Sequence, residues 1–315
     1  MDESCKLKPL IFVVGPTGVG KSRVSLELCG QHGGAIFNAD SLQIYQSLDI
    51  GTAKPSLEET SLCPHFLFDI ASPGERWTVG DYCRRAWPEL TQWRRQIPAF
   101  VVGGSGFYIQ ALEKGLFPVG EVKPQVKAQV EEIKSQGPKA LYQALMQQDP
   151  EYAAQIFPQD LYRVERGLET VLNENKTMSE IRREFAGRGP ELGEPIFKVG
   201  LRLSREKLRK SLKSRLEVML RQGWVAEVEG LLAQGLEDWP ALQSVGYRQV
   251  VGFLRGEITE FEEMKSQIVI QSMQLAKKQM TWFRRDPSIH WYDLEQEGSL
   301  AQLISQVDRW LAGPG

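Results

Sequence analysis

The sequence predicts an α/β protein: a P-loop parallel sheet flanked by helices, interrupted by an all-helical insertion domain. Three observations lead there. Pro9–Val14 is an unbroken apolar run that ends in Gly15-Pro16-Thr17-Gly18-Val19-Gly20-Lys21-Ser22, the G-x-x-x-x-G-K-[ST] pattern of a phosphate-binding loop. Strand-like and helix-like segments then alternate for about a hundred residues. From about Pro118 to Glu194 the chain turns polar and Gln/Glu/Lys-rich without a strand-like run.

Each element has its own signal. Pro9–Val14 is continuously apolar with β-branched residues, as in a strand buried on both faces. Lys21–Cys29 is a helix with Val24 and Leu28 on one side. Ala35–Phe37 is a short strand ending at Asn38-Ala39-Asp40, and His65–Ile70 is a candidate third strand. Pro98–Val102 is another buried strand, followed by Gly103-Gly104-Ser105-Gly106 and a helix from Phe107. Gly187-Arg188-Gly189-Pro190 closes the insertion as a loop. At Phe197–Leu203 alternation returns, so a strand rejoins the sheet. Glu206–Gln222 is a helix whose Leu208, Leu212, Leu216, Met219 and Leu220 line one face, with Gly223 able to end it. Helices continue to Phe283, and Ile289–Tyr292 is a last short strand. The domains are therefore residues 1–117 with 195–315, and the insertion at 118–194.

Composition excludes several classes. The 315 residues are 42% hydrophobic and 25% charged, the balance of a globular protein. No apolar run approaches the ~18 residues of a membrane span, and Met1–Pro9 lacks a signal peptide's apolar region, so a cytoplasmic protein without a membrane partner is expected. Cys5, Cys29, Cys63 and Cys83 are widely spaced and form no C-x-x-C pair, which points to reduced thiols and not to zinc or disulfides. The net charge is −2, but Phe197–His290 holds 16 Lys and Arg against 11 Asp and Glu. A basic segment of that kind suits a polyanion, although a solvated helical surface would look the same.

The chemistry concentrates at the glycine loop. Its glycines let backbone N–H groups converge on an anion at a helix N-terminus. Lys21 reaches the outer phosphate, and Ser22 can ligate Mg²⁺. The loop specifies a diphosphate or triphosphate, as in nucleotide binding, without specifying what carries it. Asp69, behind His65–Phe68, could end a kinase's metal-binding strand. Asp40 is the better acid, placed to accept a proton from a nucleophile; a helix N-cap is its bland alternative.

Asn38–Pro55 reads NADSLQIYQSLDIGTAKP. With GPTGVGKS it closely resembles the tRNA dimethylallyltransferase (tRNA isopentenyltransferase) family of bacterial type. The resemblance continues through Pro64-His65 and Phe68-Asp69-Ile70, Val102–Tyr108, Arg163–Glu169, Ser244–Gln249 and Ala276–Arg284. It implies transfer of a dimethylallyl group from dimethylallyl diphosphate to N6 of the adenosine 3′-adjacent to the anticodon in tRNA. Residues Gly15 to Ser22, including Pro16, Thr17, Gly18, Val19, Gly20 and Lys21, would hold the leaving diphosphate, with Mg²⁺ on Ser22. Asp40 would take the amine's proton, while Thr17 would stabilise the charge of the leaving diphosphate and Arg215 would pair with it. The anticodon stem-loop would meet Asp40, Ser41, Leu42 and Gln43 at the flipped base, Ser105 near the adenosine, and Tyr162, Arg163 and Arg166 on the insertion. Gly246, Tyr247 and Arg248, then Lys277, Lys278, Gln279, Trp282 and Arg284 would complete the RNA surface. A monomer is expected.

This chain departs from the family at four places. Tyr162 replaces a glutamine, Ser211 and Lys278 stand where relatives often carry arginine, and Leu42 replaces a polar residue. All four are expected to bear on RNA contacts and to leave the chemistry untouched. The competing readings are a P-loop small-molecule or nucleotide kinase and a prenyltransferase of free adenine nucleotides. The helical insertion and the basic C-terminal helices favour tRNA.

Overall fold

A computed structural model describes residues 7–116, 120, 122–184 and 196–312. Cys5 and the Gly187–Pro190 loop lie outside the described residues. Six strands, β1 (Leu10–Val14), β2 (Ala35–Asn38), β3 (His65–Phe66), β4 (Ala99–Gly103), β5 (Ile196–Arg202) and β6 (Ile289–Asp293), form one sheet in the order β3-β2-β4-β1-β5-β6. Every pairing is parallel. That is why β1, β4 and β5 are buried runs and do not alternate.

The helices in chain order are α1 (Lys21–His32), α2 (Leu57–Leu62), α3 (Val79–Trp93), α4 (Gly106–Lys114), α5 (Pro124–Ser135), α6 (Pro138–Gln148), α7 (Pro150–Ala153), α8 (Leu161–Glu174) and α9 (Met178–Glu184). After β5 come α10 (Arg205–Arg221), α11 (Trp224–Ala233), α12 (Tyr247–Leu254), α13 (Phe261–Phe283) and α14 (Ser299–Leu311). None of the described helices is long and apolar enough to cross a membrane.

The chain divides into two compact units, residues 1–112 with 191–315 and residues 113–190. In the first, Ile11, Val13, Phe100, Val102, Val199 and Leu201 pack one sheet face against Val24 and Leu28 of α1, Leu208 and Leu212 of α10, and Leu303 and Val307 of α14. Side chains alternate along each strand, so the other face belongs to residues such as Phe37, which stacks on Phe66, itself against Trp93 of α3. Burying each such Leu or Phe contributes about 1.5–3 kcal/mol. The second unit has its own core of Val126, Val130, Leu141, Leu145, Tyr152, Val164 and Leu168 from α5 to α8. Gly167 admits Tyr152 there, since a Cβ at Gly167 would lie 2.6 Å from its ring.

The expected strand at His65–Ile70 is only two residues long. Leu67 and Asp69 adopt positive φ of 66° and 54°, which turns the chain out of the sheet. Asp69 therefore does not end a buried strand; it is exposed and pairs with Lys54 Nζ at 2.5 Å. The metal-binding part assigned to it in the kinase reading is lost. The helices α3 and α14 had no counterpart in the sequence reading.

Candidate active site

The carboxyl ends of β1, β2 and β4 are adjacent in the sheet, and ligands of open parallel sheets gather at such ends. Three loops leave them: Gly15–Gly20, Asn38–Leu42 and Gly103–Ser105. Gly103 meets the Asp40 loop, and Gly15 meets β5, so closely that only glycine fits. A Cβ on Gly103 would sit 2.1 Å from the Ala39 carbonyl oxygen, and one on Gly15 would sit 2.7 Å from that of Leu201.

In the glycine loop, Gly18 and Gly20 hold φ of 79° and 99°, open to glycine and costly for other residues. Val19 is buried in the core and anchors the loop's crest. Lys21 folds back over the loop, its Nζ donating to the Gly15 and Pro16 carbonyls at 3.1 and 3.0 Å. Burial lowers its pKa from 10.5 to about 8; the charge of Asp40 works against that shift and the charge of Arg215 adds to it. Arg215 is likewise lowered by burial and supported by Asp40. Lys21, Asp40 and Arg215 thus form one electrostatic cluster. Ser22, the second residue of α1, is exposed.

Asp40 is held by its own loop. Its N–H donates to Asn38 Oδ1 at 2.9 Å, and its Oδ1 accepts from the Leu42 N–H at 3.0 Å. Its Oδ2 has no hydrogen-bond partner among the described residues. The residues after Asp40 form turns and no helix, so the N-cap alternative fails and the local bond is an Asx turn. Ser105 Oγ accepts from the Ser41 N–H at 3.1 Å and donates to Ser41 Oγ at 3.3 Å. This joins the β4 loop to the Asp40 loop.

Other side chains assigned by the sequence turn out to brace these loops. Gln279 of α13 accepts from the Thr17 N–H at 2.8 Å and donates to the Gly104 carbonyl at 3.0 Å, so its carboxamide is spent inside the protein and not on an RNA surface. Ser211 Oγ donates to the Gly18 carbonyl at 2.7 Å. Its departure from the family therefore bears on the glycine loop, contrary to the expectation that it bears on RNA contacts. Arg215 Nη2 donates to the Thr52 carbonyl at 2.9 Å, which Gln43 Nε2 also reaches at 3.0 Å. The sequence reading missed Glu227 of α11 altogether. Its carboxylate accepts from the backbone N–H groups of Asp49, Ile50 and Gly51, a contact across about 177 positions that no local pattern announces.

The remaining RNA-facing candidates separate by exposure. Lys277, Lys278, Arg248 and Arg284 are exposed in the first unit, and Leu42 is half-buried beside Asp40. Trp282 packs on α4, where a Cβ on Gly106 would lie 2.2 Å from its ring. Tyr247 is fully buried and its hydroxyl donates to Glu227 at 2.7 Å. Gly246 lies under the Trp224 ring. Neither Gly246 nor Tyr247 can meet RNA where they stand: Tyr247, Val250 and Val251 turn that side of α12 inward, while Arg248 faces out. In the second unit Tyr162 is exposed, Arg163 pairs with Asp160 at 3.2 Å and Arg166 with Glu169 at 2.6 Å. Cys29, Cys63 and Cys83 are free, buried thiols, and no metal-holding cluster of His, Cys, Asp or Glu occurs among the described residues.

Comparison with known proteins places this geometry. The family model for IPP transferase matches residues 43–286, and that for isopentenyl transferase matches residues 9–64. The tRNA dimethylallyltransferase of Bdellovibrio bacteriovorus is 42% identical over 96% of this chain and 98% of its own, and that of Synechocystis is 39% identical over 96% and 97%. The full-length tRNA isopentenylpyrophosphate transferase of Bacillus halodurans superposes with TM-score 0.71 at 29% identity over 97% of each chain. A eukaryotic dimethylallyltransferase acting on tRNA shares the fold, with TM-score 0.83 at 24% identity over 98% of this chain and 80% of that one.

Proposed function

This chain belongs to the IPP transferase family, and we propose that it is a tRNA dimethylallyltransferase. It moves the dimethylallyl group from dimethylallyl diphosphate to N6 of the adenosine 3′-adjacent to the anticodon. The observation that carries this reading is the cluster of Asp40 with Lys21 and Arg215 at the mouth of the glycine loop.

The amine at N6 attacks C1 of the dimethylallyl group while the C1–O bond breaks, and the electron pair departs with the diphosphate. Negative charge develops on that leaving oxygen. The loop's backbone amides, Lys21 and Arg215 face it at the helix N-terminus, where preorganised donors need no rearrangement as the charge appears. Thr17, in the same loop, would assist. The unpaired Oδ2 of Asp40 accepts the N6 proton. Ser41 and Ser105, already hydrogen-bonded to each other, present hydroxyls beside that carboxylate for the base.

Mg²⁺ fits the loop: the hydroxyl of Ser22, an exposed residue, offers one protein ligand, and a diphosphate would supply the others, as is usual for this ion. When bound, it neutralises diphosphate charge. Exposed Lys277, Lys278, Arg248 and Arg284 would carry RNA phosphates, with Tyr162, Arg163 and Arg166 serving from the second unit.

The test is incubation with labelled dimethylallyl diphosphate, Mg²⁺ and unmodified tRNA, followed by mass analysis of the nucleosides. An adenosine carrying the added prenyl mass is expected. Phosphoryl transfer from ATP to a metabolite, with no change to tRNA, would overturn the reading.

A further inference from the structure

We infer that Glu227 is a positioning residue that fixes Arg215 for the diphosphate by clamping the loop Leu48–Lys54. This rests on the reading in which Arg215 meets the diphosphate. The loop has no regular secondary structure, yet most of its backbone polar groups are hydrogen-bonded. On its amide side, Glu227 Oε2 accepts from Asp49 N–H at 2.9 Å and Ile50 N–H at 2.6 Å, while Oε1 accepts from Gly51 N–H at 3.2 Å and from the Tyr247 hydroxyl at 2.7 Å. Four donors converge on one carboxylate, which is a strong, charge-assisted arrangement.

The loop is pressed down to meet it. A Cβ on Gly51 would lie 2.0 Å from Trp224 Nε1, and one on Gly246 would lie 2.5 Å from the far edge of the same ring. Two glycines thus sandwich the fully buried indole, and Tyr247 meets it edge-on at 5.5 Å between ring centroids. Glu227 lies one turn after Trp224 on α11, so the same surface that seats the loop also caps it.

On its carbonyl side the loop faces the catalytic cluster. The Thr52 carbonyl is shared by Arg215 Nη2 at 2.9 Å and Gln43 Nε2 at 3.0 Å. Arg215 is supported by the charge of Asp40, and its own charge bears on Lys21. Turning the Thr52 carbonyl away would release the guanidinium. The Glu227 clamp therefore sets where that charge sits, without Glu227 touching any substrate. A misplacement of about 1 Å in such a group can cost on the order of a hundredfold in rate.

The experiment is a double-mutant cycle of Glu227→Gln with Arg215→Ala, read as the affinity for inorganic diphosphate by calorimetry. The same four proteins are then assayed for kcat/KM toward dimethylallyl diphosphate. Thermal melting confirms that each is folded, and Tyr247→Phe serves as a milder second variant. Glu227→Gln is expected to weaken diphosphate binding about tenfold in the parent and to add almost nothing once Arg215 is absent, with affinity for tRNA unchanged. Equal losses in both backgrounds, or an unchanged diphosphate affinity, would overturn the inference and leave Glu227 a stabilising residue only. Because diphosphate binding is measured without turnover, a protein that transfers no prenyl group would refute the proposed function while leaving this coupling open to the same reading.

Discussion

Lys21 shows how burial and two neighbours set one residue's charge. Desolvation brings its pKa to about 8, Asp40 draws it up and Arg215 pushes it down. A bound diphosphate favours the charged form, so binding near pH 8 should be accompanied by proton uptake at Lys21. Affinity should then be level below pH 7 and fall as pH rises through about 8, because the free protein loses the proton that the complex needs. Calorimetric titration of diphosphate between pH 7 and 9 checks this, and Lys21→Met should flatten the slope. Asp40 makes a separate prediction. Asp40→Asn keeps an oxygen for the Leu42 N–H but loses the base, so kcat should fall by about 10²–10⁴-fold. Diphosphate affinity should hold or improve, since a negative charge near the leaving group is gone. Full activity in that variant would remove Asp40 from the chemistry.

At the scale of elements, glycine is where backbones meet. Gly103→Ala drives a methyl into the Ala39 carbonyl at 2.1 Å, so it should cost about 1–3 kcal/mol of stability and displace Asp40's loop. Gly30→Ala is its counterpart: Gly30 lies inside α1 with nothing within 4 Å of an added Cβ, so alanine should stabilise by about 0.5–1 kcal/mol. Urea titrations of both variants decide it. The same elements show what a sequence can reveal. β1, the glycine loop and α10 were legible because their signals are local: an apolar run, a spacing, a 3.6-residue stripe. α3 was obscured by Pro88 inside an otherwise helical stretch, and β3 was overextended because an apolar string conceals positive φ. The roles of Gln279, Ser211 and Glu227 were not legible, because each is a hydrogen bond to a backbone group more than 170 positions away. Tyr247 was misplaced for a related reason: motif membership marks a residue as important, but burial decides whether it touches a ligand or holds up what does.

For the whole molecule, the sheet order puts β1 between β4 and β5, so the glycine loop is flanked by α10 from one side and the Gly103–Ser105 turn from the other. α13 then joins two jobs in one helix. Gln279 braces the glycine loop and Trp282 packs on Gly106, while Lys277 and Lys278 remain exposed beside them, as does Arg284 just past the helix end. None of these three cations has an acidic partner among the described residues, in a chain whose net charge is −2. If they carry RNA phosphates, replacing each by alanine should weaken tRNA binding uniformly across tRNA sequences and lower the salt slope by about 0.7–0.9 per cation. Diphosphate affinity should be unaffected, because the exposed cations make no hydrogen bond to the glycine loop, whereas Gln279 does. Gln279→Ala should do the reverse, weakening diphosphate binding and leaving the salt slope alone. Filter-binding of tRNA from 50 to 300 mM salt, beside diphosphate calorimetry on the same five variants (the three single replacements, their combination and Gln279→Ala), separates the two jobs. A salt slope that stays constant through the triple replacement would move the RNA path off this helix.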